Sequence, residues 1–136
     1  MILGQPIAAA SIFALDQATK ALVARHVAIG RSIGARVKIR RVEHVYVGRR
    51  RNWVLIFLGA CLLGFICLIQ RYSPLFRDPV ARLGIGLALG GAASNLYDRM
   101  RHGTVIDFID LNYWPIFNVA DIAITAGAAL ALWYKG

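Results

Sequence analysis

Residues Gly90 to Ala126 read G-G-A-A-S-N-L-Y-D-R-M-R-H-G-T-V-I-D-F-I-D-L-N-Y-W-P-I-F-N-V-A-D-I-A-I-T-A. The acids Asp98, Asp107, Asp110 and Asp121 gather here, between two apolar runs, Val80 to Tyr97 and Val119 to Tyr134, long enough to cross a bilayer. Such acids would be ordinary in a soluble loop. Beside membrane spans they mark where chemistry is to be expected, because ionisable groups there are expensive and usually functional.

The rest of the chain supports a membrane class. With 136 residues there is room for a single domain, 1–136. Apolar residues make up 58% of it, against roughly 45–50% in soluble domains, and the mean hydropathy is +0.57. The 16 Lys and Arg outnumber 7 Asp and Glu, a formal charge of +9. Beside apolar spans this excess implies an anionic membrane lipid as partner and no nucleic acid, each basic residue contributing about 1 kcal/mol near such a surface. Cys61 and Cys67 share one apolar run and face different sides of a helix, so they read as packing residues. His26, His44 and His102 are dispersed and read as surface residues, and no cluster has the spacing of a metal site.

The spacing of apolar residues predicts an all-α membrane protein with four transmembrane helices, approximately 2–24, 53–70, 80–97 and 118–134. No Lys or Arg precedes the first apolar run, which argues for a span rather than a cleaved leader. Fourteen or so apolar residues are too few for a core of about 30 Å, so that helix must continue through Asp16 and Lys20, an i,i+4 pair able to neutralise itself. Asp16 is either one half of that pair or the buttress of a polar site. The segment 25–52 is basic, and within it V-K-I-R-R-V-E-H-V-Y-V (37–47) alternates as a strand or hairpin on the membrane surface. Gly86-x-x-x-Gly90 in the third span and Ala123, Gly127 and Ala131 in the fourth allow these two helices to pack closely.

Consecutive antiparallel helices put Asp98 and Asp121 at one membrane face, with Asp107 and Asp110 between them. The pattern Asn-x-x-Asp occurs twice, as Asn95 to Asp98 and Asn118 to Asp121, setting an amide one helical turn from a carboxylate that it can orient. Asn118 is equally a good N-cap, with Asp121 in the first turn, where acids are favoured anyway. Asp98 precedes Arg99 and Arg101 and reads as half of an ion pair with them. Asp107 is flanked by Val105, Ile106, Phe108 and Ile109, so burial disfavours its charged form. A helix N-terminus favours the charged form of Asp121. One carboxyl that is hard to ionise and one that is easy make an acid/base pair: the ionised member activates a water while the protonated member polarises a peptide carbonyl and serves the leaving amine.

At these residues the sequence resembles the lipoprotein signal peptidases (signal peptidase II). The resemblance runs through G-G-A-A-S-N-L-Y-D-R, V-I-D-F and F-N-V-A-D-I-A-I-T-A-G, and returns in L-D-Q-A-T-K at Leu15 to Lys20. It implies a multi-pass aspartic endopeptidase of the bacterial inner membrane, with a small extracytoplasmic β element cradling the substrate and its active site at that face. It also implies cleavage before the lipid-modified Cys of a diacylglyceryl prolipoprotein, without cofactor or metal. By position the catalytic pair falls on Asp107 and Asp121, and the supporting polar residues on Asp16, Lys20, Asn95, Asp98, Arg99 and Asn118. A monomer is expected. Two features depart from the family pattern. The N-x-G-x-A-F segment that usually precedes the second helix has no counterpart in R-V-E-H-V-Y-V-G-R-R-R-N (41–52), and the basic first loop would, by the positive-inside rule, place the acidic loop in the cytoplasm. Two other readings fit parts of the sequence: a catalytically altered relative that binds lipidated peptide or lipid, and a small four-helix transporter. A transporter would want its acids near the bilayer midplane.

Overall fold

A computed structural model of the chain describes residues 4–34, 36, 38–43, 49–72 and 76–134. Its elements run in the order α1 (Gly4–His26), β1 (Ser32–Ile33), β2 (Lys38–Glu43), α2 (Arg49–Tyr72), α3 (Pro79–His102), β3 (Ile106–Asp110) and α4 (Val119–Trp133). The expected strand at 37–47 is β2; residues 37 and 44–47 lie outside the described set, as do residues 44–48 of the segment compared with N-x-G-x-A-F.

The helices outrun the apolar runs because good helix formers flank them. Arg49, Arg50 and Arg51 extend α2 backward, helix propensity outweighing the unfavourable placing of cations at a helix N-terminus. At the start of α3, Asp78 accepts from the Val80 amide at 2.7 Å and Pro79 supplies a preset φ. The same helix passes its apolar run through D-R-M-R-H and stops at Gly103, whose φ of 71° closes the helix by donating to the Arg99 carbonyl.

α3 is the central helix, packed against α4, α1 and α2. Its small residues divide between two faces. Gly84 and Gly91 meet α4, where added Cβ atoms would lie 2.6 Å from the Gly127 carbonyl oxygen and 2.5 Å from that of Ala120. Gly86 and Gly90 instead meet α1: a Cβ on Gly90 would sit 2.8 Å from Ala9 Cα. The α3/α4 contact is as close as expected, but the Gly86-x-x-x-Gly90 pattern serves the parallel α1/α3 seam. A helix with neighbours on two sides needs a small-residue stripe on each.

The strands form one antiparallel sheet in the order β1-β2-β3. Lys38 pairs with Asp110 and Ile39 with Ile109, then the register shifts by one so that Val42 pairs with Asp107. Val23 and Val27 at the end of α1 pack with Phe108, Ile39, Ile106, Ile109 and Val119, fixing the sheet to that end of the helices. Arg41 adds a bond from Nη1 to the Ala24 carbonyl at 2.9 Å.

Burial is inverted relative to a soluble protein. The buried set includes Asp16, Lys20, Ser94, Asp98, Asp107, Asp110 and Asn118, while Ile7, Leu15, Leu22, Phe57, Leu62, Leu68 and Leu132 are exposed on the helices. Among the described residues, α1 is the one helix long and apolar enough to cross a membrane by length and composition; shorter apolar stretches run through Leu55–Leu68 and Val119–Trp133. Cys61 and Cys67 are exposed, not packed, because the packing of α2 on α3 occupies one face and leaves theirs open. His26 and His102 are exposed as expected.

Replacing Gly90 by Ala should destabilise the protein by about 1–3 kcal/mol through the clash with the α1 backbone. Gly64→Ala, inside α2 where no atom lies within 4 Å of the added Cβ, should instead raise stability by up to about 1 kcal/mol through helix propensity. Thermal unfolding in detergent, followed by helical circular dichroism, compares the two.

Candidate active site

The sheet brings two distant parts of the acidic stretch together. β3 pairs with β2 on one edge, and on the other the Phe108 and Ile109 amides both donate to the Phe117 carbonyl, at 3.0 and 2.8 Å. Phe117 immediately precedes Asn118, the N-cap of α4, so this bridge sets the start of α4 beside Asp107.

Asn118 then ties the two candidate acids. Its side-chain oxygen accepts from the Asp121 amide at 2.9 Å, and its own amide donates to Asp121 Oδ2 at 3.1 Å, a capping box. Its Nδ2 donates to Asp107 Oδ1 at 2.9 Å and to Asn95 Oδ1 at 3.0 Å. Asn95 in turn donates from Nδ2 to Asp121 Oδ1 at 3.0 Å. The cap and the site are therefore one residue. The two Asn-x-x-Asp copies do not pair internally through their side chains as their spacing suggested: Asn95 serves Asp121 across the α3/α4 seam, and Asn118 reaches Asp107 on β3. Asp107 is 8% exposed, matching the burial expected from its apolar neighbours.

Beneath this pair lies a buried charge cluster. Lys20, 3% exposed, forms ion pairs with Asp16 Oδ2 at 2.5 Å and Asp98 Oδ2 at 2.6 Å and donates to Asn95 Oδ1 at 3.0 Å. Asp16, with 0% exposure, also accepts from Ser94 Oγ at 2.7 Å and from the Ala120 amide at 2.8 Å. Asp16 forms the i,i+4 pair with Lys20 that its spacing suggested and also ties α1 to α3 and α4. The counter-ion of Asp98 is Lys20 on α1 rather than a following arginine: α1 and α3 run parallel in contact, and Asp98 faces that seam. Arg99 is half-buried one residue further along α3.

Two members of the cluster escaped notice in the sequence. Gln17 donates from Nε2 to Asp98 Oδ1 and to Ser94 Oγ, both at 2.8 Å. Their signal was a polar side chain beside a singled-out one, Gln17 after Asp16 and Ser94 before Asn95. Asp110 stands apart: Oδ1 accepts from the Asn112 amide at 2.8 Å, and Oδ2 lies 3.8 Å from Arg40. Among the described residues no group of His, Cys, Asp and Glu is arranged to hold a metal.

Asp121 opens onto a groove of about 390 Å³ lined by Trp114, Phe117, Ile122, Thr125, Ala126 and Ala129. Ile122, Thr125, Ala126 and Ala129 descend one face of α4 and Trp114 and Phe117 close the upper end, so the groove is an apolar channel with a carboxylate at its head. Lys20→Met would leave Asp16 and Asp98 buried without their cation and should lower stability by about 3–5 kcal/mol. Adding Asp98→Asn should recover part of that loss, read as the shift in thermal midpoint between the single and double variants.

Known proteins match this chain over nearly its whole length. Residues 8–135 match the family described as Signal peptidase (SPase) II. The lipoprotein signal peptidase of Moorella thermoacetica is 34% identical over 128 residues, covering 90% of this chain and 85% of that protein. That of Brevibacillus brevis is 37% identical over 134 residues, covering 91% and 89%. A solved bacterial membrane enzyme superposes with a TM-score of 0.86 at 25% identity, covering 98% of this chain and 92% of the other. A match over nearly the whole length, in sequence and in overall fold, leaves one conclusion: the chain belongs to the signal peptidase II family.

Proposed function

We propose that this protein removes signal peptides from diacylglyceryl-modified prolipoproteins as an aspartic endopeptidase, cleaving before the lipidated Cys with Asp107 and Asp121 as its catalytic pair. The observation that carries the reading is Asn118, whose one side chain and backbone amide hold both carboxylates at the head of an apolar groove. Asp121 receives a donor on each oxygen and stands at the head of the groove, where it serves as the base. Asp107, 8% exposed and held by Asn118 Nδ2, serves as the acid. Asp121 takes a proton from water as the water oxygen bonds to the peptide carbon, and Asp107 donates to the carbonyl oxygen. When the C–N bond breaks, a proton held by the pair passes to the leaving amine. Asp16, Lys20, Asn95, Asp98, Arg99 and Asn118 are the supporting residues, and no cofactor takes part.

The exposed apolar residues support a membrane-embedded placement of the chain. All four helices cross the bacterial inner membrane as one embedded domain, with large apolar side chains against lipid. Exposed Tyr113 and Trp114 mark the interface at the extracytoplasmic face, where the sheet and acids lie. The basic segment 25–52 contacts anionic headgroups, and the protein works as a monomer. A transporter finds less support, since the half-buried Asp121 opens at the sheet end of the helices rather than midway along them.

Purified protein should cleave a diacylglyceryl prolipoprotein in detergent, and Asp107→Asn or Asp121→Asn should each reduce cleavage by about 10²–10⁴-fold. Folded protein that cleaves nothing would point instead to an altered relative that only binds lipidated peptide. Removing both thiols with Cys61→Ser and Cys67→Ser should leave cleavage intact. In that thiol-free background Tyr113→Cys should react with a membrane-impermeant maleimide added outside intact spheroplasts; reaction only after lysis would reverse the orientation.

A further inference from the structure

A second cleft, of about 410 Å³, adjoins the apolar groove and differs from it in chemistry: it is polar, and its walls include Ser32, Lys38, Arg40, Asp110, Asn112 and Trp114. Trp114, 63% exposed, lines both clefts, so the two are neighbours separated by one indole. Lys38 and Arg40 are two apart on β2 and share a face of the sheet; Ser32 lies opposite Arg40 and Asp110 opposite Lys38. Asp110 offsets part of this charge. One of its oxygens is engaged by the Asn112 amide in a turn where Asn112 has a φ of 65°, and the other lies 3.8 Å from an Arg40 that is 47% exposed. Two cations against one partly committed carboxylate leave the basin positive.

Resting on the function proposed above, we propose that this basin receives the residues immediately after the lipidated Cys and selects substrates in which they are acidic. The apolar groove runs from Asp121 down α4 and suits the hydrophobic parts of the substrate. The polypeptide beyond the scissile bond is the part that must lie in water, and on the far side of Trp114 the polar surface that meets it is Lys38 and Arg40. Carboxylates there gain charge-assisted hydrogen bonds, whereas a basic residue meets two like charges.

The test is a set of diacylglyceryl prolipoproteins identical except for the two residues after the Cys: Asp-Asp, Ser-Ser or Lys-Lys. At low salt kcat/KM should rank in that order and differ by about tenfold between the extremes, with the difference shrinking in 0.5 M salt as screening tightens. The paired change Lys38→Gln and Arg40→Gln should bring the Asp-Asp to Lys-Lys ratio to about one, and Lys38→Glu should turn the preference toward Lys-Lys. Equal cleavage of all three substrates by the unmodified protein would overturn the acidic preference while leaving the peptidase reading intact. Failure of the folded protein to cleave any of them would instead remove the peptidase reading, and this inference with it.

Discussion

The Asp16 carboxylate is the point on which the fold turns. Buried on α1, it is held by Lys20 of its own helix, by the Ser94 hydroxyl of α3 and by the Ala120 amide of α4. An isolated carboxylate there would be costly. Three donors from three helices offset that cost only when the helices stand in one relation to each other, so the charge acts as a gauge of correct packing. Lys20 carries the constraint onward. An ammonium only donates, so Asn95 must turn its oxygen toward Lys20 and its amide nitrogen toward Asp121. The orientation of a group touching a candidate catalytic acid is thus set one step away, by a cation that never reaches the groove.

The sheet supplies the other half of the geometry. β3 has a neighbour on each side, β2 and the backbone at Phe117, and that second pairing joins the acid before α4 to the acid within it. The register shift between Ile39 and Val42 lets β2 follow β3 past Phe108 while Phe108 stays packed on Val23 and Val27. Irregularities of this kind re-aim side chains near functional sites. Here the shift lies directly opposite the strand that bears Asp107.

Much of this was legible in the residues. The four helices follow from their apolar runs, and Asp107 differs from Asp98 and Asp110 in having apolar neighbours on both sides. What was not legible is lateral: which helix a given face meets. Gly86 and Gly90 read as an α3/α4 contact because α4 is the next helix, and Asp98 read as a partner of the arginines that follow it. Both turn toward α1, some 78–81 positions earlier in the chain. Periodicity reports that a stripe exists on a helix and is silent about the neighbour that covers it. The crossed Asn and Asp partners have the same origin, since spacing along one helix describes only contacts within that helix.

The i,i+4 spacing of Asp16 and Lys20 also bears on how such a chain is made. α1 emerges first, and the residues that complete its charge cluster, Ser94, Asp98 and Ala120, are synthesised long afterward. A lone Asp or Lys at the centre of an inserting segment carries a penalty of roughly 2.5–3.5 kcal/mol. Because the two partners lie one turn apart, the nascent helix can travel into the bilayer as a neutral unit and wait there. Only when α3 and α4 arrive does Lys20 extend its bonding to Asp98 and Asn95. The segment is thus able to insert before the rest of the protein exists, while keeping the polarity that later recruits its neighbours.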